Sequence, residues 1–102
     1  MHGRGRMLSR RDAEVYDGWW ADGVRHGRGR NAYADGGVYE GEWAFGGREG
    51  RGEMRYADGR AYDGEWYGDR RDGDGVLWFP DGRRYVGYFW RDRRSPLPPS
   101  PT

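Results

Sequence analysis

Cysteine is absent from the 102 residues, and so are lysine, isoleucine and glutamine. Without cysteine there is no disulfide framework, thiolate metal site or cysteine nucleophile, a lack that fits a reducing compartment. Without lysine a phosphate loop ending in Gly-Lys-Ser/Thr is excluded. Serine and threonine are confined to Ser9, Ser95, Ser100 and Thr102, and the histidines are His2 and His26. No Ser-His-acid arrangement can be argued from that supply. The paired glycines never reach Gly-x-Gly-x-x-Gly, so a Rossmann fingerprint is excluded too. "DRRDGDG" (69–75) has the composition of a calcium loop but neither its ligand spacing nor its terminal Glu. The expectation is therefore a non-enzyme with no catalytic residues, no cofactor and no metal site.

Apolar content is also low, at 34%, with a mean hydropathy of -1.24. Such a chain is not expected to form a thick two-sided core. No apolar run approaches the ~20 residues of a helical membrane span, and the N-terminus lacks the apolar stretch of a signal peptide. Basic and acidic residues nearly cancel, to a net charge of +1. No bulk field draws the chain to nucleic acid, and the regular Asp and Glu interrupt its "GRGR" runs. Nucleic acid is not an expected partner. All 18 basic residues are arginine, which coding bias explains more simply than guanidinium chemistry does.

Aromatics, by contrast, reach 17%, with 6 Trp and 8 Tyr beside 20 Gly. They recur. Tyr16, Tyr39, Tyr62 and Tyr85 stand 23 residues apart, followed two positions later by Gly18, Gly41, Gly64 and Gly87. Two further on come Trp20, Trp43, Trp66 and Phe89. A Gly-x-Gly pair, an aromatic and an Asp-Gly complete each unit. Such self-similarity is the mark of a repeat architecture. Whole units run 16–38, 39–61 and 62–84, and 85–94 is a partial fourth expected to stop after one strand. Residues 1–15 read as an earlier half-unit or cap, and 95–102 as a Pro-rich tail expected to be disordered.

In Tyr-x-Gly-x-Trp the named residues alternate, so all three point to one face of a strand. The return strand, Gly-x-Gly-x-Met-x-Tyr over 50–56, is expected to do the same. A bare glycine lowers the surface so that a neighbouring ring can lie across the backbone, and its periodic recurrence marks close approach. "AFGG" and "YADG" supply the turns. The unit is a β-hairpin. One hairpin buries too few aromatics to offset its chain entropy, so neighbours must share their stripes in one continuous meander.

These elements together, "YEGEW…GREGRGEMRYADGRAYDGEW", resemble the MORN repeat (membrane occupation and recognition nexus) over about residues 16–90. The resemblance implies an all-β fold: a single-layer, twisted antiparallel meander of consecutive hairpins. It also implies a non-catalytic array that holds partners. Members include ciliary and flagellar proteins, parasite cytoskeletal scaffolds, junction-forming membrane proteins and accessory regions of plant phosphatidylinositol-phosphate kinases. The expected setting is cytoplasmic, with cytoskeletal, ciliary or peripheral-membrane association. Departures from the pattern are Asp69, where glycine is preferred, and Trp19, where "YDGWW" lacks the acidic residue.

Function is expected on the second face. In unit two it carries Glu40 and Glu42, set to face Arg51, Glu53 and Arg55 in a charge ladder. Toward the C-terminus it turns apolar, with Tyr67, Val76, Trp78, Val86, Tyr88 and Trp90 as the candidate protein interface. Two explanations stay open: a cap or strand folding back, the Pro-rich tail included, or a surface for a protein partner. Arg91, Arg93 and Arg94, beside Phe89 and Trp90, are candidates for anionic-lipid contact. Exposed edges at the two ends suggest head-to-tail self-association. The tail also has Arg93 followed by Pro96 and Pro99, the spacing of a polyproline ligand.

Overall fold

The computed structural model describes residues 3–9 and 14–95. Nine strands follow one another: β1 (Gly3–Ser9), β2 (Glu14–Ala21), β3 (Val24–Ala32), β4 (Val38–Ala44), β5 (Gly47–Arg55), β6 (Ala61–Tyr67), β7 (Arg70–Trp78), β8 (Arg84–Trp90) and β9 (Arg93–Ser95). Their order across the sheet is their order along the chain. Every neighbouring pair is antiparallel. This is the all-β meander of hairpins that the repeat pattern predicts.

Turn chemistry sets the two edges of the ribbon. Along one edge the hairpins close through two residues that both have positive φ: Asp22-Gly23, Phe45-Gly46, Gly68-Asp69 and Arg91-Asp92. Such pairs match the right-handed twist of the flanking strands. Phe45 carries strain in this role, since a bulky side chain disfavours the left-handed region, and it stands 90% exposed. The opposite edge is built from the "YADG" turns. There Gly37 N–H donates to Asp35 Oδ1 at 2.8 Å, Arg60 N–H to Asp58 Oδ1 at 3.0 Å, and Arg83 N–H to Asp81 Oδ1 at 2.9 Å.

The first face is closed by the aromatic stripe. Gly18 pairs with Gly29, Gly41 with Gly52 and Gly64 with Gly75. A tyrosine ring covers each pair, and its hydroxyl donates to the carbonyl three residues on: Tyr16 to Trp19 (2.8 Å), Tyr39 to Glu42 (2.9 Å), Tyr62 to Glu65 (2.8 Å). The indole of each unit reaches back one unit. Trp43 Nε1–H donates to Gly29 O and Trp66 Nε1–H to Gly52 O, both at 3.1 Å. Rings then interlock edge to face, with Tyr39 between Trp43 (5.1 Å) and Trp66 (5.2 Å) and Tyr62 between Trp66 (5.2 Å) and Phe89 (5.0 Å). Each such contact adds to the area buried. Trp43 and Trp66 thus share a face, as alternation requires.

Arginine completes this face. Arg25 lies over Tyr16 and Trp43, Arg48 over Trp66 at 4.6 Å, Arg71 over Phe89 at 5.3 Å and Arg94 over Tyr85 at 5.7 Å. They too stand 23 apart, a periodicity masked by the abundance of arginine. Arg48 is held by Asp69 (Nε to Oδ1, 3.0 Å) and Arg71 by Asp92 (3.2 Å). Asp69 departs from the repeat pattern because it both accepts the turn's positive φ of 69° and anchors this guanidinium.

Three expectations are corrected. Gly50 does not share the face of Gly52: each return strand bulges, so that Glu49, Gly50 and Arg51 together oppose Glu42. Gly50 has a φ of 69°, and a Cβ there would meet the Glu42 carboxylate on the second face. Glu42 Oε2 accepts from Arg51 N–H at 2.8 Å, and Glu65 Oε2 from Asp74 N–H at 2.7 Å, so this Glu stabilises the bulge. In unit one Trp19 takes its place, its Cβ lying where it would meet one added to Gly27. The charge ladder is corrected in part, since Glu42 does oppose Arg51. Register sets Glu40 opposite Glu53 and Arg55 opposite Val38; opposite charges meet instead as Arg30–Glu40, Arg28–Glu42 and Arg51–Glu65. Finally, the fourth unit does not stop after one strand, because β9 pairs with β8 from Trp90↔Arg93 to Tyr88↔Ser95. The Pro-rich tail beyond Ser95 lies outside the described residues.

Candidate functional site: the second face

With rings and guanidinium groups filling the first face, the second is the one that stays open. It changes character along the ribbon. Near β2 and β3 it shows Trp19 with Asp17, Arg28 and Arg30 around a hollow of about 350 Å³. Its middle is a row of acids, Glu40↔Glu53↔Asp63, in successive cross-strand pairs. Like charges so placed repel.

Strands β6 to β8 position the six candidate interface residues. Trp78 follows the buried Leu77, and Tyr88 and Trp90 flank the buried Phe89, so alternation turns all three outward. Tyr67 (69% exposed), Trp78 (37%), Val86 (64%) and Trp90 (40%) keep much of their surface open. The six are not one cluster. Tyr67 and Trp90 meet across a hollow of about 520 Å³ with Gly68, Arg70, Asp72 and Arg91, at the edge of the two-residue turns. Val76 and Val86 pair directly and floor a trough of about 330 Å³ rimmed by Arg51, Asp63 and Asp74. Trp78 stands toward the other edge, between Ala61 and Arg84, beside a hollow of about 270 Å³ that includes Arg55 and Asp63. Tyr88 pairs with Asp74. β9 continues in the plane of the sheet, so no described strand covers this surface.

The three arginines singled out for lipid also separate. Arg91, in the turn, lies 4.9 Å over the Trp90 ring. Arg93 is opposite Trp90 in the ladder, whereas Arg94 stacks on Phe79 and Tyr85 of the first face. Among the described residues no group of three His, Asp or Glu stands ready to hold a metal ion. Among the same residues no helix is long and apolar enough to cross a membrane.

Titration is perturbed on the first face and in one turn. Burial raises the phenol pKa of Tyr16, Tyr33, Tyr39, Tyr56 and Tyr62, because a phenolate would lose its hydration there. Nearby arginines offset this only in part. In the "YADG" turn of unit two the Arg60 N–H holds the Asp58 carboxyl below its ordinary range. The sign of the tyrosine effect follows from proton uptake. Above pH ~10 the unfolded chain releases phenolic protons that the folded array retains, so stability is intact below that pH and falls above it. Each fully buried ring contributes a slope of about 1.4 kcal/mol per pH unit. Urea midpoints should therefore fall through the alkaline range in step with tyrosinate absorbance; flat midpoints there would contradict the packing of these rings.

A sheet of 23-residue hairpins, sharing rings from unit to unit, is a β-hairpin repeat protein. A family profile for the MORN repeat matches residues 16–38, 39–59 and 62–83. These matches cover more than half of the chain, and the protein belongs to the MORN-repeat family. No curated protein matches it. The repeat is often involved in membrane or protein binding and is generally a binding or scaffold module.

Proposed function

We propose that this chain is a non-catalytic scaffold that binds a protein partner through the C-terminal part of its second face. The observation that carries this reading is the exposure of Trp78, Val86, Trp90 and Tyr67 on strands whose opposite side is locked. Aromatic anchors on a rigid surface lose little side-chain entropy on binding, and they dominate the energetics of interfaces. Cytoskeletal or ciliary placement belongs to the same proposal.

The test combines Trp78→Asp with Tyr88→Asp. Both side chains point away from the ring stack, so circular dichroism and the thermal midpoint should change little. Affinity capture from the source cell should lose, with the double variant, a protein that the unaltered chain retains. Retention of that protein by a folded double variant would overturn the reading.

A second reading is contact with anionic phospholipid or phosphoinositide. It is supported by Arg91 over Trp90 at one edge of the ribbon, where a cation and an indole suit a headgroup region. Liposome co-sedimentation with Arg91, Arg93 and Arg94 changed to Ser separates it from the first. Head-to-tail self-association is a further proposal. It is supported by the strands at the two ends of the sheet, β1 and β9, since the edge of a sheet templates further pairing.

A further inference from the structure

The two-residue turns stand along one edge of the ribbon. With the residue on either side they read Ala21-Asp22-Gly23-Val24, Ala44-Phe45-Gly46-Gly47, Tyr67-Gly68-Asp69-Arg70 and Trp90-Arg91-Asp92-Arg93. Phe45 is the anomaly among them. Its φ of 53° is one that a bulky side chain disfavours, and Asn, Asp or Gly closes such a turn without that cost. Its ring is 90% exposed, touching His26 edge to face at 6.2 Å. An exposed ring in a strained turn does little for the fold. Strain that folding does not need gathers at functional sites, and a projecting aromatic is the form that interface anchors take.

The same edge holds a receptor for such a ring. Tyr67 and Trp90 meet across the hollow of about 520 Å³, and Arg91 lies over the Trp90 indole at 4.9 Å. Aromatic walls and a guanidinium both favour a phenyl ring. Phe45 leans to the side on which this hollow opens, because His26 alternates with Arg25 of the first face. Charge divides the edge in the same way. In the first two turns the one charged residue is Asp22. In the last two, Arg48 holds Asp69 and Arg71 holds Asp92. That leaves Arg70, Arg91 and Arg93, all exposed, with Asp72 in the hollow beside them.

A half-turn about an axis normal to the sheet sets two such edges together in opposite directions, with both second faces on one side. Phe45 of each copy then meets the Tyr67–Trp90 hollow of the other, and the half bearing Asp22 meets the half bearing the arginines. The contact is self-complementary, and so it closes at two copies.

We propose that the chain pairs with a second copy along this turn edge, the Phe45 ring of each inserted between Tyr67 and Trp90 of the other. Four hairpin tips make a narrow contact, which suits a reversible pair. Tyr67 and Trp90, two residues of the face read above as protein-binding, are thereby assigned to a second copy. Trp78 and the Val76–Val86 trough stay open to a partner of another kind. The pairing rests on that reading only for those two residues, and its test needs no other protein.

Sedimentation equilibrium of the full chain should show monomer and dimer and nothing larger. Phe45→Asn should weaken the pair by roughly a hundredfold or more, since both copies lose their anchor. Its thermal midpoint, measured in dilute solution where the parent is monomeric too, should rise, because asparagine suits the turn. Tyr67→Ser with Trp90→Ser should also give a monomer. The two variants mixed keep one Phe45 and one intact hollow. The Trp90 indole N–H of an isotope-labelled Phe45→Asn chain should therefore shift when the unlabelled Tyr67→Ser, Trp90→Ser chain is added. A parent that stays monomeric at millimolar concentration would overturn the proposal. So would undiminished pairing by Phe45→Asn, an indole peak that mixing leaves in place, or growth beyond two copies, which points to the ends of the sheet. Pairing can fail while Trp78 and Tyr88 still capture a partner, and capture can fail while pairing stands.

Discussion

Gly52→Ala should destabilise the array by about 3–5 kcal/mol, the scale of losing the packing of a large buried ring. A Cβ at Gly52 would land on the Tyr39 ring, at its Oη, Cε1 and Cζ. The ring has nowhere to go. Trp43 and Trp66 hold it from both sides, its hydroxyl is bonded to Glu42 O, and beneath it Gly41 is paired directly with Gly52. Expelling it also breaks the contact by which unit two holds unit three. Against a typical domain stability of about 5–15 kcal/mol, such a loss brings the protein close to unfolding. Gly5→Ala is the control, because a Cβ there meets nothing nearer than Trp20 Nε1 at 4.0 Å. Urea titrations of the two variants should differ widely. Equal midpoints would mean that glycine serves these strands for some reason other than making room for tyrosine.

The second large effect is a gain. Asn31→Met should stabilise the protein by about 1–3 kcal/mol, the scale of relieving a buried, unpaired polar group. Asn31 occupies the position of Met54 and Leu77 in the later units and is fully buried. Its Nδ2 donates to Glu14 Oε1 at 2.9 Å, but its Oδ1 has no partner. Glu14 is partly open and keeps Arg25 at 3.6 Å, so removing the amide does not strand its charge. For a chain of this size each kcal/mol moves the melting temperature by about 4–8 °C. Calorimetry should show the rise. A fall would show that the Glu14–Asn31 bond, which ties β3 to the start of β2, outweighs the unpaired oxygen.

The fold was legible because its two controlling signals are local. Alternation in Tyr-x-Gly-x-Trp follows from strand geometry alone, and the 23-residue spacing forces each unit to repeat what its neighbour does. What escaped reading depends on pairing between strands. The bulge at Gly50 interrupts the alternation midway along β5, which resumes in the same phase at Gly52, and only the register of β4 against β5 reveals it. The same register sets Glu40 opposite Glu53, a like-charged pair that a list of face residues does not disclose. Arg25, Arg48, Arg71 and Arg94 carried a usable signal in their period, yet an arginine-rich composition gave each a simpler explanation. For the candidate site, alternation placed all six residues on the second face. That Tyr67 meets Trp90 while Trp78 stands at the far edge follows from turn lengths and register, which the letters alone do not supply.

Strand order that follows chain order has a mechanical meaning. Tension applied between the first and last strands loads the outermost ladder before any inner one, so the ribbon opens by peeling, one hairpin after another. A globule whose terminal strands lie side by side would have to shear many hydrogen bonds at once. This sheet behaves instead as a compliant strap, lengthening in steps of one unit and closing again from whichever hairpins stay intact.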